Sequence, residues 1–95
     1  MSISITELMK KRYVNLIDIR SKESYNNRHI DGAKNISFNE LLIRPDLHLN
    51  KEESYYLYCQ HGYSSKKLCQ ILNARGFKTI NIIGGYEAWV LSNYS

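Results

Sequence analysis

The sequence predicts an α/β sandwich, a mostly parallel sheet with helices on both faces. Three observations carry that expectation. Short runs rich in β-branched, aliphatic and aromatic residues alternate with stretches of helical spacing along the chain. The run "SYYLYC" is apolar and aromatic without a break, which suits a strand covered on both faces. Each such run is followed closely by a helical stretch, the connection that parallel strands require.

The elements follow in order. "SISITELMKKR" opens extended and turns helical, with Ser4 and Glu7 in capping-box spacing and Ile5, Leu8 and Met9 on one face. "YVNLIDIR" reads as a buried strand ending at Asp18 and Arg20. "SKESYNNRH" reads as one or two helical turns capped by Ser21. Asp31-Gly32 marks a turn before a short strand, and "FNELLI" is a short helix that stops before Pro45. After the strand "SYYLYC", the segment "SSKKLCQILNARG" is the clearest helix, with Leu68 and Leu72 in register and Gly76 placed to end it. "TINII" is another strand, and "GGYEAWVLSNY" is a terminal helix opened by two glycines.

A chain of 95 residues makes one small domain, taken as residues 1–95. Its 43% hydrophobic content excludes a disordered chain. The net charge of +4 suits small anions. Its basic residues are scattered, and the runs Lys10-Lys11-Arg12 and Lys66-Lys67 read as solvated faces, so no nucleic-acid partner is expected. "MSISITELMKKR" lacks the apolar core of a signal peptide, and no run reaches membrane-span length. The expectation is a cytoplasmic protein with no membrane partner.

Chemistry concentrates at "CQHGYSSK". Cys59 stands at a strand's carboxyl end, where open α/β sheets bind ligands, directly before a helix. The thiolate is the nucleophile, and a free cysteine is mostly protonated at neutral pH. A curled loop with Gly62 can aim backbone N–H groups at the sulfur, and a helix starting near Ser64 adds its positive end. Ser64 and Ser65 can cap that helix and direct hydroxyls inward. Cys69 lies mid-helix beside Leu72 and reads as core. The two cysteines are separated by about 10 Å or more if a helix intervenes, too far for a disulfide. Their spacing matches no zinc motif, so no metal is expected. A cysteine phosphatase needs an arginine six residues after its nucleophile, to grip phosphate bidentately, and that position is Ser65. A small neutral-ended loop suits a lesser ligand, one additional sulfur atom on Cys59.

These residues resemble the rhodanese family of sulfurtransferases over nearly the whole chain. "LIDIRSKESYNNRHIDGAKNIS" is similar to the family's first signature, "CQHGYSS" to its Cys-x-x-Gly-x-x-Ser loop, and "GGYEAW" to its C-terminal signature. All three stand in the family's order. The resemblance implies a parallel five-stranded sheet in a three-layer sandwich. It implies a thiosulfate sulfurtransferase of the single-domain kind, in which Cys59 becomes a persulfide and passes the sulfur to cyanide or a thiol. It implies no metal or organic cofactor. Gln60, His61, Gly62, Tyr63, Ser64, Ser65 and Lys66 would surround the substrate, with Asp18 and Arg20 in support at a neighbouring strand end. Where many members carry a loop arginine, this chain has Ser64, and Lys66 is either a rim cation or a solvated helix lysine. His61 either lines the pocket or faces solvent, Tyr63 flanks the mouth, His29 bonds within the scaffold, and Tyr86 and Trp89 pack in the core. The alternatives are a persulfide carrier, or a non-catalytic binding module, serving a protein that donates or accepts sulfur.

Overall fold

The computed structural model describes residues 1–93. Its elements are β1 (Ser2–Ile3), α1 (Ile5–Met9), β2 (Asn15–Asp18), α2 (Lys22–Asn27), β3 (Lys34–Asn35), α3 (Phe38–Ile43), β4 (Ser54–Tyr58), α4 (Tyr63–Ala74), β5 (Lys78–Ile82) and α5 (Gly85–Ser92). The five strands form one sheet in the order β1-β5-β4-β2-β3, and every pairing among the described residues is parallel. β4 is central, with Ile17 and Asp18 of β2 opposite Leu57 and Tyr58 on one side and Asn81 of β5 opposite Leu57 on the other.

Alternation along the strands builds two cores. Ile17, Tyr55 and Leu57 face α3 and α4, where they meet Leu41, Leu68 and Leu72. Leu16, Tyr58 and Ile82 face the other side, where they meet Ile5 and Leu8 of α1 and Trp89 of α5. The unbroken apolar character of β4 is thus the signature of a strand with both faces covered. This is the expected three-layer α/β sandwich.

Local signals explain the boundaries. Ser4 and Glu7 form the capping box, and Ser21 and Ser37 accept the N–H of Ser24 and Glu40 to start α2 and α3. α4 ends in a Schellman arrangement. Gly76, at φ +96°, donates to Asn73 O, and Phe77 donates to Leu72 O.

Three details depart from expectation. Met9 is exposed, because α1 stops before its face is complete. A 3-10 turn at Pro45–Leu47, absent from the sequence reading, follows α3 where proline fixes its first position. α4 begins at Tyr63 with Gly62 as its cap, so neither Ser64 nor Ser65 caps it. The expected terminal helix ran through Tyr94, which lies outside the described residues.

Candidate active site

Cys59 follows the last residue of β4 and is buried, and its backbone is held by the start of α5. Two N–H groups at the start of α5 bind the loop carbonyls, Tyr86 to Cys59 O at 2.8 Å and Glu87 to Gln60 O at 3.0 Å. With those carbonyls turned toward α5, the next N–H groups turn inward. Gly62 N–H donates to Cys59 Sγ at 3.1 Å and Ser65 N–H at 3.3 Å, and Ser65 Oγ lies 3.3 Å from the sulfur. Gly62 reaches this geometry at φ +95°, and a Cβ there would meet Gly84 N at 2.8 Å. The pair Gly84-Gly85 is therefore part of the loop's mould, as well as the start of a helix.

Burial pushes the Cys59 thiol up. The Ser65 hydroxyl and the N–H groups of Ser65, Gly62 and His61 pull it down, and they prevail, leaving Cys59 more acidic than an ordinary thiol. For Cys69 the balance is reversed. Burial dominates and raises its thiol, which sits in the core beside Leu68 and Leu72.

A cavity of about 290 Å³ opens in front of Cys59, lined by Ile19, Arg20, Phe38, Gln60, His61, Tyr63 and Ser64. Its size is at the small end of ligand pockets. A broader hollow of about 800 Å³ lies around Lys11, Tyr13, Asn15 and Tyr56. It is at the amino end of the sheet and neither cysteine lines it, so size alone does not choose the site.

Each expected residue has a definite place. Gln60 Oε1 accepts from Arg20 Nη1 at 3.3 Å. His61 lines the cavity and pairs with Glu87 at 2.5 Å, so it both borders the pocket and faces solvent. Tyr63 is exposed at the mouth, and Ser64 sits on the wall. Ser65 is fully buried beneath the sulfur. Lys66 is exposed on the first turn of α4 and is not among the cavity-lining residues. Asp18, fully buried, binds Arg20 through Nε and Nη2, the latter at 2.8 Å. Arg20 also donates to Arg28 O at 2.7 Å and stacks 3.9 Å from the Tyr86 ring. Its charge is largely engaged by Asp18. His29 bonds Tyr25 O at 2.8 Å and stacks on that ring, a scaffold contact.

The sequence reading passed over Asn81, Ile19 and Phe38. Ile19 and Phe38 line the cavity but look like ordinary apolar residues in sequence. Asn81 is buried on β5 and accepts the Ser65 hydroxyl at 2.5 Å. Its one visible signal was an amide inside the apolar run "TINII". Among the described residues, no group of three His, Cys, Asp or Glu side chains is placed to hold a metal ion.

Comparison with known proteins agrees with this architecture. The family model for the rhodanese-like domain matches residues 4–92. The thiosulfate sulfurtransferase GlpE of Coxiella burnetii is 38% identical over 84 residues, covering 87% of this chain and 78% of that protein. GlpE of Shewanella oneidensis is 33% identical over 90 residues, covering 94% and 88%. The crystal structure of a rhodanese-like domain protein from Staphylococcus aureus superposes with a TM-score of 0.81 at 33% identity, covering 93% of this chain and 89% of that one. The chain belongs to the rhodanese-like domain family.

Proposed function

We propose that this chain is a sulfurtransferase that carries sulfane sulfur on Cys59. The observation that carries the reading is the convergence of Gly62 N–H, Ser65 N–H and Ser65 Oγ on one buried sulfur at the end of the central strand. Such a nest holds negative charge on Cys59 before transfer, and on its sulfur again when it leaves after transfer.

With thiosulfate as donor, the Cys59 thiolate attacks the outer sulfur. The S–S bond of thiosulfate breaks, sulfite departs with the electron pair, and Cys59 holds a persulfide. A thiolate or cyanide then attacks the outer persulfide sulfur, and the Cys59 thiolate leaves. Splitting the transfer lets a single anion-stabilising loop serve both halves. Gln60, His61, Tyr63 and Ser64 border the donor, while Asp18 and Arg20 hold Gln60 and the floor in place. Ser65 at the phosphatase arginine's position points to sulfur and Asn81, which favours sulfur chemistry over phosphate. The reading takes residues 1–95 as one catalytic domain, and two free cysteines suit a reducing compartment such as the cytoplasm.

The test is thiocyanate formation from thiosulfate and cyanide. The parent should turn over and Cys59→Ser should not. Thiocyanate formed by Cys59→Ser at the parent rate would sink the assignment. A second reading has its own observation. The cavity wall is largely apolar through Ile19, Phe38 and Tyr63, with Arg20 engaged by Asp18 and Lys66 off the wall. That wall suits a carrier loaded by a protein better than one loaded by a small dianion. Rapid loading from a cysteine desulfurase beside slow loading from thiosulfate would favour the carrier.

A further inference from the structure

Ser65 has one hydroxyl proton and two acceptors within reach. Asn81 Oδ1 is 2.5 Å from Ser65 Oγ, and Cys59 Sγ is 3.3 Å away. The hydroxyl donates to the nearer, harder oxygen and turns a lone pair toward the sulfur. In that arrangement a Cys59 S–H can donate to Ser65, while a Cys59 thiolate gains the hydroxyl proton only by drawing it from Asn81. On its other side Asn81 Nδ2 lies 3.5 Å from Ser2 Oγ. The Asn81 backbone is tied as well, since its N–H donates to Met1 O at 3.0 Å. Register aims Asn81 at α4. Thr79, two residues earlier on the same strand face, bonds Asn73 and the Cys69 carbonyl of that helix.

We infer that Asn81 is a positioning residue that competes with Cys59 for the Ser65 proton, so that the thiolate is held chiefly by backbone N–H groups and stays basic enough to attack. Ser65 supports the anion only when its proton leaves Asn81, and that competition offsets part of the serine's effect. The value of such restraint is chemical. Thiolate nucleophilicity falls as the thiol becomes more acidic, so unrestrained stabilisation would blunt the attack. The inference rests on the reading that Cys59 is the reacting sulfur.

The charged or titratable groups around this unit are Arg20 with Asp18 from the β2 side and His61 with Glu87 of α5. Lys66 is exposed on α4, and the Cys69 thiol, buried in the same core as Cys59, interacts with Cys59 and with the Met1 ammonium. Among the described residues none of them bonds the Ser65 hydroxyl or the Asn81 amide.

The experiment is the pH dependence of Cys59 alkylation by iodoacetamide, read by peptide mass on the full chain. Asn81→Leu removes the competing acceptor at similar volume. Its midpoint should fall by about one pH unit, and its plateau rate at high pH should fall about threefold. Asn81→Ala, the safer variant for folding, should shift the midpoint the same way. Ser65→Ala should raise the midpoint, and Asn81→Leu added to Ser65→Ala should change nothing more. A midpoint that stays or rises in both Asn81 variants overturns the inference. So does an equal fall without Ser65, which would mean that Asn81 acts by another route. These shifts in a protein that takes sulfur from neither thiosulfate nor a cysteine desulfurase would uphold the inference while sinking the proposed function.

Discussion

A methyl group at Gly85 should distort the cysteine loop from outside the cavity. Gly85 sits at φ +58°, and a Cβ there would lie 2.3 Å from Cys59 O, 3.0 Å from Gly62 N and 3.1 Å from Cys59 C. Ordinary contact begins near 3.4 Å, so the loop and α5 must separate by about 1 Å. That movement stretches the Tyr86-to-Cys59 and Glu87-to-Gln60 bonds, now 2.8 and 3.0 Å, past useful range. Two such bonds are worth about 1 kcal/mol each. The left-handed backbone costs a non-glycine residue about 1 kcal/mol more. Gly85→Ala should therefore lose about 3 kcal/mol. Gly32→Ala is the control, because Gly32 has φ +86° with nothing within 4 Å of a new Cβ. It should lose about 1 kcal/mol, the backbone strain alone. Urea unfolding measures both. As the carbonyls swing free, the N–H groups lose their aim, so the alkylation midpoint of Cys59 should rise in Gly85→Ala and hold in Gly32→Ala. Equal stability losses with an unmoved Cys59 midpoint would refute the view that α5 moulds the loop.

Three further outcomes are expected. Asp18→Asn leaves the nearly buried Arg20 guanidinium short of its counter-charge and should cost about 3 kcal/mol in urea unfolding. Leu72→Ala, on the buried face of α4, should cost about 3 kcal/mol while leaving the Cys59 alkylation midpoint in place. The two thiols should bend the stability-versus-pH curve in opposite senses. Cys59 is lowered in the fold, so its contribution is present above the unfolded thiol value and lost as pH falls through the folded one. Cys69 is raised, so its contribution is intact below the unfolded value and lost as pH climbs through the folded one. Cys59→Ser should accordingly lose stability more steeply than the parent on the alkaline side of pH 8, as followed by urea titrations at a series of pH values.

Much of this was legible from residues whose signals are local. Ser4, Ser21 and Gly76 announce helix ends because caps act within one turn. β4 was plain because a strand covered twice needs an apolar residue at every position. Cys59 with Gly62 and Ser65 was visible because the loop is contiguous in the chain. What depended on distant segments was not visible. Asn81 reaches Ser65 across 16 positions, and its amide looks like a strand irregularity until β5 is laid beside β4. The placing of Gly85 against Cys59 O is likewise a contact between the start of α5 and the cysteine loop that no spacing encodes. Ser65 was expected to share the capping of α4. Gly62 instead occupies the cap, which frees the Ser65 side chain to turn inward.

The most direct test of sulfur carriage on Cys59 is intact mass after incubation with thiosulfate, before and after cyanide, for the parent and Cys59→Ser. The account predicts that the parent gains about 32 Da, one sulfur, that cyanide removes it, and that Cys59→Ser gains nothing. A gain in Cys59→Ser equal to the parent's, or a folded parent that gains no sulfur from thiosulfate or from a cysteine desulfurase, would contradict it.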